Sequence, residues 1–175
     1  MDIKLINGGV CVAQGFRAAG VHCGIRKNKT KKDLAMICSD VVSNAAAVYT
    51  TNLVKGAPLT VTKNHIANGK AQAVICNSGN ANTCNPDGVE KANAMCKALA
   101  DNLGISENDV VVASTGVIGQ PLDITPIAKG IPVLAKSLSM NGSQDAAEAI
   151  MTTDTIDKQI AVEFTIGGKV CKMGG

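Results

Sequence analysis

Aromatic side chains are nearly absent from this sequence: Phe16, Tyr49 and Phe164 are the whole set, and there is no tryptophan. Activities that depend on stacking bases or sugars on aromatic faces are poorly served by such a chain. Histidine is almost as scarce, with only His22 and His65. Neither has ligand spacing and no C-x-x-C pair occurs, so no metal site is expected. Nothing approaches the roughly 18 consecutive apolar residues of a membrane span. The N-terminal residues carry no apolar stretch of the secretory kind. A cytoplasmic location follows as the expectation, with no membrane and no nucleic acid as partner. No Pro/Ser-rich linker and no internal repeat divides the sequence, so residues 1–175 are read as a single domain.

What is present is mostly small and aliphatic. Apolar residues make up 46% of the chain, which places it among globular proteins. The seven cysteines are an odd number, and several sit inside apolar runs, such as Cys38 and Cys76. They read as small buried hydrophobes kept reduced. Net charge is +3, and Arg26, Lys27, Lys29, Lys31 and Lys32 hold the basic excess in one short polar stretch. That pattern predicts a solvated turn, with phosphate binding as the alternative.

Strand signals fall at 10–13, 21–25, 34–38, 46–51, 71–76 and 110–114. Near the end, 159–166 and 169–172 flank Gly167-Gly168, a strong hairpin signal because two glycines accept the positive φ of a tight primed turn. A helix is expected over 89–99, with Val89, Ala92, Met95, Cys96 and Leu99 on one face and Gly104 as C-cap. A second is expected from Ile124 to Leu134, interrupted or reset by Pro132. A third starts at Ser143, read as its N-cap. Strands and helices alternate irregularly, which favours a layered α/β or α+β domain over a dinucleotide-binding repeat. The closing Met173-Gly174-Gly175 reads as a connection going onward.

Three polar segments could carry chemistry. Ser114-Thr115-Gly116-Val117-Ile118-Gly119 follows the apolar run at 110–113. Without a side chain at Gly116 the peptide can approach a reacting oxygen closely, and the Thr115 hydroxyl can donate to the same point. Those are the parts of an oxyanion hole, although a β-turn after a buried strand would look the same. No nucleophile–base pair accompanies them, which suggests that the attacking group lies elsewhere. Asn77-Ser78-Gly79-Asn80-Ala81-Asn82-Thr83-Cys84-Asn85 reads as a tightly hydrogen-bonded loop from a strand to a helix beginning near Asp87, or as the polar lining of a site. Met151-Thr152-Thr153-Asp154-Thr155 reads as a helix C-terminus whose hydroxyls satisfy the last carbonyls, or as a contact for a substrate amine and carboxylate. Gly130–Ser137 has the outline of a phosphate-binding loop, but Ala135 replaces the second glycine and Pro132 lacks a needed N–H. No pairing of carboxylates for acid–base work is inferred from Asp33, Asp40 or Asp109.

Taken with Ala18-Ala19-Gly20-Val21, Asp33-Leu34-Ala35 and Tyr49-Thr50-Thr51-Asn52, these segments resemble the ornithine acetyltransferase / glutamate N-acetyltransferase family of arginine biosynthesis. The matches occur in the family's order over nearly the whole chain. The resemblance implies a four-layer α-β-β-α sandwich, of the type shared with self-processing aminopeptidases. It implies a precursor that cuts itself, so that this sequence is an α chain. A separate β chain would carry the N-terminal threonine nucleophile, and two of each would assemble into a heterotetramer. The implied reaction moves acetyl from N2-acetylornithine to L-glutamate through an acetyl-threonine. Thr115 and Gly116 would form the oxyanion hole and Thr152 would contact substrate, with Thr153 one residue away. A further substrate lysine and most of the pocket would lie beyond Gly175. No cofactor or metal is implied, and acetyl-CoA enters only as a co-substrate of bifunctional members. Thr83-Cys84-Asn85-Pro86 departs from the family's usual Ala-Cys-Thr-Gly, and a change of loop shape is expected there. Two other readings stay open: a related self-processing amidohydrolase or aminopeptidase with water as acceptor, and a non-catalytic amino-acid-binding domain.

Overall fold

A computed structural model describes residues 3–175. The central element is a four-stranded sheet in the order β2-β3-β4-β5, built from Phe16–Val21 (β2), Leu34–Asn44 (β3), Lys70–Asn80 (β4) and Val110–Val117 (β5). β2, β3 and β4 pair antiparallel, whereas β4 and β5 run parallel. A parallel pair needs a crossover, supplied here by helix α2 (Gly88–Leu103). A separate antiparallel sheet joins β1 (Lys4–Ile6) to the hairpin of β6 (Ala161–Ile166) and β7 (Lys169–Gly174).

Alternation along the strands sends one set of residues to each face. Leu34, Met36, Ala73, Ile75, Val110 and Val112 are buried against α1 (Ala57–His65), α2 and α3 (Thr125–Lys136). Across that layer α2 contributes Ala92, Met95, Cys96 and Leu99, four of the five residues of the stripe predicted from its spacing, while the fifth, Val89, is exposed. Burial of an aliphatic side chain of this size stabilises by about 1.5–3 kcal/mol, so this layer holds most of the core. The opposite face of β2 and β3 meets α4 (Ser143–Ile150) through Ala18, Ala35, Ala146 and Ala149. Alanines on both sides allow a close approach there: a Cβ at Gly20 would fall 1.9 Å from the Asp145 carbonyl oxygen. The class is thus the expected layered α+β, with an outer helical layer on a sheet whose second face is only partly covered by α4.

Several local expectations hold. Gly104 caps α2 with φ +68°, and Gly167 and Gly168 carry the positive φ of the hairpin turn. Others change for identifiable reasons. Val10–Val12 is a 3-10 turn rather than a strand, its apolar residues packing beside the alanine cluster. The strand expected at 21–25 lies at Phe16–Val21, because the Asp33 carboxylate captures the N–H groups of Cys23, Gly24 and Arg26. Residues 46–51 form no strand. α1 was not anticipated; its buried Thr62 donates to the Val112 carbonyl at 2.9 Å, a partner 50 residues away. Pro132 does not interrupt α3, whose buried Ile127, Gly130, Ile131 and Leu134 span it on one face. Ser143 is the first residue of α4 and not its cap; its Oγ accepts instead from the Cys11 N–H at 3.0 Å.

Candidate active site

β4 and β5 run further than their apolar cores suggest. Asn77–Asn80 pairs in parallel register with Ser114–Val117, so the first four residues of each polar segment are strand, and the loop or turn begins only after Asn80 and Val117. The polarity is tolerated because most of the buried groups find a partner, Asn82 Oδ1 being an exception. Ser114 Oγ donates to Asn77 Oδ1 at 2.6 Å, and Asn77 Nδ2 donates to the Asn80 carbonyl at 2.9 Å. Asn80 Nδ2 donates to the Gln120 carbonyl at 3.0 Å, while Asn80 Oδ1 accepts the Asn82 N–H at 2.8 Å. Asn82 takes φ +48° and ties its side chain to the Gly88 carbonyl, fixing the start of α2. Cys84, in the departure from the family pattern, also has a positive φ of +62°.

At the ends of these strands Gly79 and Gly116 are register partners, and both have positive φ, +102° and +134°. A Cβ at Gly116 would lie 2.4 Å from the Gly79 carbonyl carbon and 2.6 Å from the Asn80 nitrogen. Only glycine allows the two backbones to turn together at this spacing. Thr115, half-buried, lies two residues beyond Ala113 on the same sheet face. Among the described residues its hydroxyl makes no hydrogen bond. A cleft of about 190 Å³ opens beside Gly79 and Asn80, bounded by Gly24, Ile25, Gln120 and Pro121. Clefts at the carboxyl ends of parallel strands are the usual ligand sites of α/β sheets.

The segment leading to Thr152 is tied to this strand end by two links. Ser78, the register partner of Thr115, donates its hydroxyl to the Ala149 carbonyl at 2.5 Å, at the end of α4. The Arg26 guanidinium donates to the Met151 carbonyl, immediately before Thr152. Arg26 also lines Gly79, where a Cβ would sit 3.0 Å from its Cγ. Thr152 is half-buried and Thr153 exposed. The Lys158 ammonium pairs with Asp154 and holds that carboxyl below its ordinary range.

Sequence reasoning missed the device that holds Arg26. Asp33 is fully buried, and its carboxylate accepts from Cys23 N–H at 2.6 Å, Arg26 N–H at 2.9 Å and Gly24 N–H at 3.2 Å. His22 Nδ1 stands 3.2 Å away. The only available signal was an aspartate opening an apolar strand after a basic turn. That turn is less solvated than expected: besides Arg26, Lys32 pairs with Asp145 at 2.5 Å and Glu148 at 2.7 Å on α4. Asp40 pairs with Arg17 at 2.6 Å, and Gly130–Ser137 lies mostly within the packed helix α3. Burial pushes the Cys76 thiol up to about 12, in line with the structural reading of that cysteine. Among the described residues no group of three or more His, Cys, Asp or Glu is placed to hold a metal ion. No helix there is long and apolar enough to cross a membrane.

These features define a layered α+β chain in which main-chain peptides and small hydroxyls converge at the ends of two parallel strands. The chain belongs to the ArgJ family, whose profile matches residues 17–175. It is 48% identical over 174 residues to the arginine biosynthesis bifunctional protein ArgJ of Caldanaerobacter subterraneus subsp. tengcongensis, covering 99% of this chain and 43% of that protein. It is 45% identical to the ArgJ of Bacillus anthracis, covering 98% of this chain and 42% of that protein. The chain therefore spans less than half the length of the curated relatives it matches. A crystal structure of the ArgJ of Bacillus halodurans superposes with a TM-score of 0.93 at 40% identity, covering 99% of this chain and 92% of that one. The ornithine acetyltransferase of Mycobacterium tuberculosis, crystallised with ornithine, gives a TM-score of 0.91 at 35% identity, covering 99% and 93%.

Proposed function

We propose that this chain is the α chain of a glutamate N-acetyltransferase that moves acetyl from N2-acetylornithine to L-glutamate. The observation that carries the reading is the turned strand end, with an uncommitted Thr115 hydroxyl beside a Gly116 peptide that meets its neighbour without side chains. Support comes also from the names of the relatives and from a solved neighbour that holds ornithine. The nucleophile is the N-terminal threonine of a partner β chain. Its oxygen attacks the acetyl carbonyl, the carbon–nitrogen bond breaks, and ornithine leaves with the proton. The glutamate amine then attacks the acetyl-threonine ester, and the threonine oxygen recovers its proton as N-acetylglutamate departs.

Negative charge develops on the acetyl oxygen in both steps. The Thr115 hydroxyl and the Gly116 N–H donate to it. Thr152 contacts the amino-acid portion of the substrate from the end of α4. The reading takes the chain as one domain of an α2β2 heterotetramer that works in the cytoplasm without a cofactor. Acetyl-CoA is a second donor if the assembled protein is bifunctional, as its relatives are named. The test is acetyl exchange between N-acetylornithine and glutamate by the assembled protein, with Thr115→Ala beside the parent. Loss of one such donor lowers kcat by roughly 10²–10³, about 3–4 kcal/mol, with folding unchanged. Unchanged turnover removes the role of Thr115, and acetate release without transfer identifies a hydrolase instead.

A further inference from the structure

The connection from β3 to α1, residues 45–56, has no regular structure although its sequence is that of a strand. Val48, Tyr49, Thr50 and Thr51 are strong β-formers and residues 46–51 contain no charge, glycine or proline. Among the described residues, none of 46–51 takes part in a backbone–backbone hydrogen bond. Only short side-chain turns follow: Asn52 N–H to Thr50 Oγ1 at 3.1 Å and Val54 N–H to Asn52 Oδ1 at 3.0 Å. Side chains that belong in a core stand in water here. Val48 and Leu53 are each 98% exposed, and Val54 is exposed as well. The bulged end of β3 adds the exposed Val41 and Val42. The Tyr49 hydroxyl oxygen is buried and has no hydrogen-bond partner.

An unpaired ladder edge flanked by exposed aliphatic side chains is a template for another strand. We infer that residues 46–51 are an edge strand completed by β-strand addition from the part of the ArgJ polypeptide outside this chain. The inference rests on the partner reading given above. The length of the relatives favours this occupant over a second copy, since this chain accounts for only 43% of a matching protein. Exposed aliphatic side chains flank the segment on both sides, Val41 and Val42 before it and Leu53 and Val54 after it.

The experiment uses the purified assembled protein. Amide hydrogen exchange at 46–51 is expected to be at least about 100-fold slower than at the hairpin turn 167–168. With Val48 replaced by the photoreactive benzoylphenylalanine, the cross-linked peptide is expected to come from sequence beyond residue 175. Exchange at 46–51 as fast as at the turn overturns the inference, as does a cross-link to residues 1–175 of a second copy. Should the photoreactive variant fail to assemble, the exchange measurement on the unmodified protein still decides. Acetyl exchange on the same preparation separates the two readings. Turnover with freely exchanging amides sinks the strand addition alone, and protected amides without turnover sink the activity alone.

Discussion

Replacing Gly116 by alanine tests the strand-end geometry directly. The added Cβ would lie 2.4 Å from Gly79 C, 2.6 Å from Asn80 N and 2.7 Å from Gly79 O, all main-chain atoms that cannot swing aside. Overpacking of this kind costs roughly 1–3 kcal/mol. The φ of +134° adds a backbone cost of about 1–3 kcal/mol for any residue with a side chain. Together they predict a loss of about 2–6 kcal/mol, or roughly 5–20 °C in thermal midpoint for a domain of this size. Gly119→Ala is the control. Its φ is also positive, +76°, but an added Cβ meets nothing within 4 Å. It should lose only the left-handed backbone cost, ~1–2 kcal/mol. Thermal unfolding followed by circular dichroism compares the two, with acetyl exchange measured alongside. The Gly116 variant should also lose at least about 10² in kcat, because the 79–80 peptide must shift. Equal midpoints for the two variants would refute the collision between the strands.

Asp33→Ala leaves three N–H groups without their acceptor, those of Cys23, Gly24 and Arg26. Urea unfolding should show a loss of at least about 3 kcal/mol, and a loss under about 1 kcal/mol would contradict the role given to the carboxylate. Burial pushes the thiols of Cys76 and Cys96 up to about 12, as it does that of Cys23, where Asp33 adds to it. Iodoacetamide at pH 8 should therefore label the exposed Cys84 before any of them, and peptide mass mapping reads the order. Desolvation pulls the Lys32 ammonium down, but its hydrogen bonds to Asp145 and Glu148 outweigh this and hold it above its ordinary value. The same contact with Lys32, then Gln144, holds Glu148 below the usual carboxylate range. The Lys32 contribution is present below about pH 10.4 and lost as pH rises through the raised value; that of Glu148 is present above about pH 4.3 and lost as pH falls through the lowered one. Lys32→Met should thus lower stability by under about 1 kcal/mol, evenly between roughly pH 5 and 10, with the difference shrinking outside that window.

The parts of the fold that could be read from the sequence are those specified by neighbours along the chain. The apolar stripe and Gly104 cap of α2 are local signals, as are the paired glycines of the β6–β7 turn. What was misread depends on distant partners. Strand ends placed at 76 and 114 belong at 80 and 117, because buried Asn77 and Ser78 are satisfied by Ser114 and by the Ala149 carbonyl. The strand placed at 21–25 gives way to a carboxylate that is adjacent only after β2 and β3 pair. The candidate site shows the same division. Thr115 and Gly116 are singled out as candidates by a strand emptying into a hydroxyl and a glycine. Gly79, their backbone neighbour, and Arg26, which reaches the segment holding Thr152, could be recognised only once the sheet was assembled.

The facing glycines carry a practical consequence for anyone wishing to alter this protein. Peptide groups do not change when codons do, so randomising side chains around the cleft would reshape its walls and leave the turned strand end intact. On the proposed reading, altered acceptance of amino acids is better sought at the half-buried Thr152 and its exposed neighbour Thr153. Gly79 and Gly116 should be held fixed in any such library, since neither has room for even a methyl group without moving a neighbour.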